Sequence, residues 1–339
     1  MSYPTSQVTF ALAAFLSITS GSAHAFGAVG HSAIGDAAAA LIKGSRAEQQ
    51  VQRILGSVSL HDIAVWADCV KGIDPASEFK YTVTGRYPEC AVFENNPDEE
   101  ARMRDYVQRN HEACAPKPGE ESCHKQYHYT NPALQRGRYV QGALGTSEHD
   151  LVGAIGAAVT VLKGGKAPAP FNLANEREAL ALLVHIVGDV HQPLHVGSVY
   201  LDEAGHAIDP EDGVDRGPTH TVGGNALTLP ASNLHAYWDN APGKLSAEDL
   251  AALPAAARKI AASSGDVSQW PAQWASESLQ LAGQALQGVT FGLRQQSLRG
   301  PRWAAELPAD YEPRALAITR QQLARGGARL AALLKAIWP

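Results

Sequence analysis

Residues 179–195 read Ala-Leu-Ala-Leu-Leu-Val-His185-Ile-Val-Gly-Asp189-Val-His191-Gln-Pro-Leu-His195. A run this apolar on every face reads as a helix buried in a core, since a surface helix would keep a polar stripe. The helix is expected over 174–190, capped by Asn172 or Asn175 and stopped by Pro193. Helical signals extend in both directions. Helices are expected over 30–43, as one continuous element over 46–70, over 98–113, and over 147–162 with Thr146 or Ser147 as cap. Further helices are expected at 233–240, 246–262, 268–290 and 312–337. Residues 72–98 read as an irregular loop, and 197–230, punctuated by Gly, Asp and Pro, as a long loop or small β-hairpin. The fold class is all-α, in a single domain with a minor β excursion.

The same stretch carries the chemistry. His185 and Asp189 are four residues apart and so share a helix face. His195 follows the proline in a new direction, and His235-Ala-Tyr-Trp-Asp239 repeats the His-x-x-x-Asp spacing. One such pair alone reads as a salt bridge. Two pairs and an extra His, with Asp189 set in an otherwise apolar helix, read as zinc ligand sets, because unpaired buried carboxylates are costly and zinc takes imidazole with carboxylate. Asp68 in Trp66-Ala-Asp68, His128 in Tyr127-His-Tyr129, and His31 add the same residue types.

Composition sets the outer limits. The chain has 339 residues, 45% hydrophobic and 18% charged, with 28 Lys+Arg against 34 Asp+Glu and a net charge of −6. That is a globular protein with a large core. The acidic balance excludes a binder that grips phosphates with a basic stripe. Residues 8–18 are nearly all apolar and precede Ala23-His24-Ala25, which is the pattern of a secretory signal peptide over 1–25 with a mature terminus at Phe26. The apolar run is too short to span a bilayer. Cys69, Cys90, Cys114 and Cys123 are an even set in an exported chain, expected to form two disulfides by one of three connectivities. No CxxC pair supports thiol-bound zinc.

The phrases FGAVGH (26–31), WAD (66–68), HYTN (128–131), HIVGDVHQPLH (185–195), GGN (223–225) and NLHAYWD (233–239) resemble the zinc-dependent single-strand-specific nucleases and 3′-nucleotidases of fungi, plants and bacteria. The likeness runs from Phe26 to Asp239, and the last hundred residues match only as helical filler. It implies an all-α fold like that of zinc-dependent phospholipase C, with three Zn²⁺ ions in a cleft. One zinc would take Asp68, His128, His185 and Asp189. A second would take the amine and carbonyl of Phe26 with His31 and the bridging Asp189. A third would take His195, His235 and Asp239. His191 would support a ligand without being one. The amine exists only after signal cleavage, which would couple export to assembly of the site.

The resemblance further implies that Asp68 orients the attacking water and that Lys71 contacts phosphate at a position where many members have Arg. It also implies that Tyr129 and Asn131 meet a base, with Asn131 standing where fungal members have an acidic residue, and that Asn225 contacts substrate. The expected protein is an exported nuclease acting on single-stranded RNA, DNA and 3′-nucleotides, as a monomer without stable membrane association, secreted or periplasmic. Two other readings share these residues: a zinc phospholipase C acting on phosphatidylcholine, and a zinc-binding protein with no activity. Three Zn²⁺ would bring the formal charge to zero, concentrating the attraction for phosphate in one place.

Overall fold

Residues 26–117, 120–212, 219–298 and 300–339 are described in the computed structural model of the chain; the segment 1–25, expected to be a signal peptide, lies outside them. Helix α1 (Gly27–Ile42) comes first, followed by α2 (Arg46–Leu55), α3 (Leu60–Ile63) and α4 (Trp66–Val70). The single helix expected over 46–70 is thus three. Gly56 takes φ 64° and closes α2 with its N–H on Gln52 O, and Ser59 then caps α3 by accepting from Asp62 N. These local stop and start signals override the continuous apolar period. Asp68 therefore sits on a short helix of its own.

Helix α5 (Ala91–Glu94) and helix α6 (Pro97–Cys114) follow, the latter capped by Asn96 with proline at its first position, where a missing N–H costs nothing. Helix α7 (Cys123–Gln126) is short. The disulfides are Cys69–Cys90 and Cys114–Cys123, which settles the three-way choice of connectivity. Helix α8 (Leu151–Leu162) starts at Asp150, not at Thr146 or Ser147. The Asp150 carboxylate accepts from Val152 N, Gly153 N and the Tyr139 hydroxyl, a stronger cap than either hydroxyl upstream.

Helix α9 (Glu176–Asp189) is the centre of the molecule. Asn175 caps it by accepting from Glu178 N, and every residue from Glu178 to Asp189 is buried. It packs against α1, α4 and α8, and against the long C-terminal helix described below.

Short strands follow: β1 (Tyr200–Leu201) pairs antiparallel with β2 (Ala207–Ile208), and β3 (Leu227–Leu229) with β4 (Ser232–Asn233). Helices α10 (Leu234–Asp239), α11 (Ala247–Ala257) and α12 (Trp270–Ala285) come next. The helix expected to reach 290 ends at Ala285. Beyond it lie β5 (Thr290–Phe291), β6 (Gln295–Ser297) and β7 (Gly300–Glu306), before α13 (Tyr311–Ile337). Strand β7 pairs with β5 and β6 and runs parallel to β3, with Leu227 opposite Trp303. Among the described residues the β content is therefore a five-stranded sheet and the separate β1–β2 pair, more than the long loop or small hairpin expected, although the fold remains all-α in class.

A second, smaller core of Leu194, Leu227, Trp238, Trp303 and Tyr311 joins this sheet to α10. Trp238 Nε1 donates to the Tyr311 hydroxyl at 2.9 Å, which donates to Ala285 O at 2.8 Å. That buried relay holds α10, and with it His235 and Asp239. Among the described residues, no helix is long and apolar enough to cross a membrane.

Candidate metal centre

Helix α9 ends at the site. His185 and Asp189 project from its last turn, and the Gln192–Pro193 turn directs His195 back toward them. His31 arrives from α1 and stacks on His185 with ring centroids 3.7 Å apart. That approach depends on Gly188, since a Cβ there would lie 2.4 Å from His31 Nδ1. Helix α4 contributes Asp68, the segment after α7 contributes His128, and α10 contributes His235 and Asp239.

These side chains form three groups whose donor atoms lie close together: His31, His185 and Asp189; Asp68, His128 and His185; His195, His235 and Asp239. All eight residues are buried. His31 Nε2 is 3.3 Å from Asp189 Oδ1, and His185 Nε2 is 3.4 Å from Asp189 Oδ2 and 3.5 Å from Asp68 Oδ1. His128 Nδ1 lies 2.9 Å from Asp189 Oδ2 and 3.8 Å from Asp68 Oδ1. In the third group, His195 Nε2 is 3.6 Å from Asp239 Oδ1, and His235 Nε2 is 3.6 Å from Asp239 Oδ2. Donors about 2.0–2.1 Å from one tetrahedral zinc would stand roughly 3.3 Å apart, so most of these separations suit a shared cation better than a hydrogen bond.

Tautomers support the same arrangement. His185 Nδ1 donates to Ala64 O, His195 Nδ1 to His128 O and His235 Nδ1 to Gly223 O, at 2.6–2.7 Å. Each ring therefore turns the lone pair of Nε2 toward its group, the orientation a metal ligand needs. Both carboxylate oxygens of Asp189, Asp239 Oδ2 and His195 Nε2 are buried without a hydrogen-bond partner among the described residues. Such atoms are expensive to bury unless a cation meets them. Burial holds His128 and His185 well below the usual imidazole range, and pushes Asp189 well up and Asp239 to about 6. Burial thus works against the charged forms of Asp189 and Asp239, and a divalent cation would reverse that. The residues fit a set of zinc ions.

Supporting contacts are equally specific. Gln192 Nε2 donates to Asp239 Oδ1 at 2.8 Å. His191 faces away from the cluster: its Nδ1 donates to Val187 O, and its Nε2 lies 3.1 Å from Arg329 Nη1 on α13. Phe26 is fully buried at the start of α1, its carbonyl accepting from Gly30 N at 3.1 Å. A Cβ on Gly27 would lie 3.0 Å from Asp239 O, so this end of α1 packs beside α10.

His128 of the second group and His195 and His235 of the third line a cleft of about 530 Å³, with the remaining donors buried behind them. Lys71 lines it, about one-fifth exposed, with Nζ 2.7 Å from Asp68 Oδ1. Burial works against its charge, but Asp68, Asp189 and Asp239 together outweigh that and hold the ammonium above its ordinary range. Tyr129, Asn131 and Asn225 also line the cleft. The Tyr129 hydroxyl donates to Glu121, while Asn131 Oδ1 is buried without a hydrogen-bond partner. Gly223 makes this wall possible: at φ 55° it passes so close to Leu194 that a Cβ would lie 2.4 Å from the carbonyl oxygen. Lys125, His220, Asn233 and Arg302 were not read from the sequence as cleft residues, yet they line it too. None carries a local signal; Arg302 reaches the cleft through the pairing of β7 with the distant β3.

Residues 114–339 match the S1/P1 nuclease family. The chain belongs to that family. The match covers the last hundred residues, which the motif comparison treated as filler. Among curated proteins, the chain is similar to Endonuclease 4 of Arabidopsis thaliana, 32% identical over 186 residues, which are 48% of this chain and 52% of that protein. It is also similar to Endonuclease 2 of the same plant, 29% identical over 237 residues, 64% of this chain and 69% of that one. The chain thus spans about half the length of Endonuclease 4. S1/P1 nucleases share a phospholipase C-like helical fold, and the helices around α9 are this chain's version of it.

Proposed function

We propose that this S1/P1 family member is an exported, zinc-dependent phosphodiesterase that cleaves single-stranded RNA and DNA to 5′-phosphorylated products and removes phosphate from 3′-nucleotides. The carrying observation is a set of three buried His/Asp groups, of which His128, His195 and His235 line one cleft together with Lys71. The names of the Arabidopsis relatives support an endonuclease. The ligand sets proposed are Asp68, His128, His185 and Asp189; Phe26, His31 and Asp189; and His195, His235 and Asp239. Zinc bound there would supply Lewis-acid activation of water and of phosphate oxygens.

The protein's own groups do the positioning. Asp68 Oδ1 accepts a hydrogen bond from the attacking water, with Lys71 Nζ beside it at 2.7 Å. Lys71 also meets a non-bridging phosphate oxygen as a compact charge, without the fork an arginine would offer. Tyr129 and Asn131 receive an unstacked base, the ring by stacking and the amide by donating and accepting. Asn225 contacts the sugar-phosphate. A duplex holds its bases stacked and cannot make these contacts, which is why single strands are favoured.

Two disulfides fit an oxidising, extracytoplasmic compartment, and the expected cleavage before Phe26 would free the amine for the second set. The test is zinc content of the mature protein, with hydrolysis of single-stranded DNA, a 3′-nucleotide and phosphatidylcholine measured before and after chelation. Zinc near three per chain and chelator-sensitive cleavage of the two nucleic-acid substrates are expected. Cleavage of lipid alone would replace the reading with a phospholipase, and bound zinc without hydrolysis would leave a binding protein. Full activity in a variant carrying extra residues before Phe26 would remove the amine from the ligand set.

A further inference from the structure

Among the described residues three Lys and Arg side chains line the cleft, and two are already paired: Lys71 with Asp68 at 2.7 Å and Lys125 with Asp74 at 2.8 Å. Arg302 is not. Among the described residues no carboxylate pairs with it, in a chain whose net charge is −6 and whose Arg53, Arg109, Arg136, Arg177, Arg320 and Arg329 all meet Asp or Glu. Its guanidinium is held instead by neutral acceptors, Nε donating to Ser297 Oγ at 3.3 Å and Nη1 to Asn225 O at 3.2 Å. Nη2 makes no hydrogen bond to the described residues. The side chain is half-buried on β7, so it is pre-oriented and still reachable from the cleft.

Its position relative to the metal centre is set by one loop. Asn225 O takes Arg302, and two residues earlier Gly223 O takes His235 Nδ1 at 2.7 Å. The guanidinium therefore adjoins the third donor group through the loop and does not enter it. A planar cation with an uncommitted N–H edge, fixed beside a phosphodiesterase centre, matches a phosphate oxygen pair by charge and geometry.

We propose that Arg302 binds a backbone phosphate flanking the scissile one, so that the cleft favours oligonucleotide strands over mononucleotides. The proposal rests on the nuclease reading above and adds a specificity determinant to it. A nucleoside 3′-phosphate has no flanking phosphate to offer, so the two substrates separate this contact from the chemistry.

The experiment compares wild-type, Arg302→Ala, Arg302→Gln and Arg302→Lys proteins, zinc-loaded, on a single-stranded oligonucleotide and a nucleoside 3′-phosphate. Loss of one charge-assisted contact is expected to lower the oligonucleotide-to-mononucleotide ratio of kcat/KM by about tenfold in the Ala and Gln variants, mainly through KM. Arg302→Lys, which keeps the charge without the planar fork, should fall between wild type and the Ala and Gln variants. The slope of log KM for the oligonucleotide against log salt should flatten by about 0.7 in the Ala and Gln variants, the amount for one phosphate contact on a single strand. Gln can still donate to Asn225 O, so it separates charge from support of the loop.

An unchanged ratio, or equal losses on both substrates with Gln restoring both, would show that Arg302 only braces the loop and would overturn the proposal while leaving the nuclease reading intact. Wild-type protein that hydrolyses neither substrate would overturn both.

Discussion

At the scale of single residues, the centre depends on side chains that never touch a metal. Gln192 is the clearest. Its amide donates to Asp239 Oδ1, and its own oxygen accepts from Leu194 N, so one side chain aims a carboxylate and shapes the turn that delivers His195. Gln192→Leu keeps the volume and removes both contacts. Zinc affinity and kcat should fall about 10–100-fold, the usual effect of losing a ligand's supporting hydrogen bond; metal retained after dialysis against a graded chelator is the readout. Gly188 has a different role, since it makes room for His31. Gly188→Ala should displace His31 and cost zinc at the group containing Asp189. A full zinc complement in that variant would show that α1 can shift without loss.

At the scale of elements, the candidate donors His31, His185 and Asp189 sit on the long helices α1 and α9, whereas Asp68, His235 and Asp239 sit on the short helices α4 and α10. Helix α4 has five residues, too few to be stable alone, and carries Asp68 with Lys71 just past its end. The Cys69–Cys90 disulfide ties it to the segment leading into α5. A Cys69→Ser, Cys90→Ser double variant should lose roughly 3 kcal/mol of stability by denaturant melt, given the loop it closes. Activity should fall further than the fraction unfolded, because the helix that positions Asp68 is released first. Helix α8 depends on Asp150, whose removal would also strand the buried Tyr139 hydroxyl. Asp150→Ala is expected to cost about 2–3 kcal/mol, more than a solvent-exposed cap would.

At the scale of the whole molecule, acid should be destabilising through a buried histidine outside the metal centre. His124 is almost completely buried, and neither ring nitrogen has a hydrogen-bond partner among the described residues. Burial, with Lys125 next in importance, lowers its pKa from 6.5 to about 3. A lowered folded-state value means that the unfolded chain binds the proton more readily between those limits. Stability is therefore fully present above about pH 6.5 and declines as pH falls toward 3. Tm measured from pH 7 to 4 should drop less steeply in His124→Leu than in wild type. Parallel slopes in the two proteins would assign the acid sensitivity elsewhere.

Much of this protein was legible along the chain because its signals are local. The α9 run, a cap at Asn172 or Asn175 and the two His-x-x-x-Asp spacings follow from contacts within about one helical turn, so periodicity and residue type sufficed for them. The grouping of Phe26, His31, Asp68 and His128 with them rested on the family resemblance. Where two local signals compete, residue type alone does not rank them: the apolar period runs unbroken across 46–70 past the stops at Gly56 and Ser59, and Asp150 outdoes Thr146 and Ser147 as a cap. What lies far apart in sequence was decided only by tertiary structure. The sheet that joins β3 to β7, the disulfide pairing, the stacking of His31 on His185 across Gly188, and the arrival of Arg302 beside Asn225 all depend on chain segments meeting in space. No short-range preference encodes such meetings. They follow from how the helices around α9 and the smaller core beneath α10 close on one another, and that closure is what turns an inventory of histidines and aspartates into one cleft.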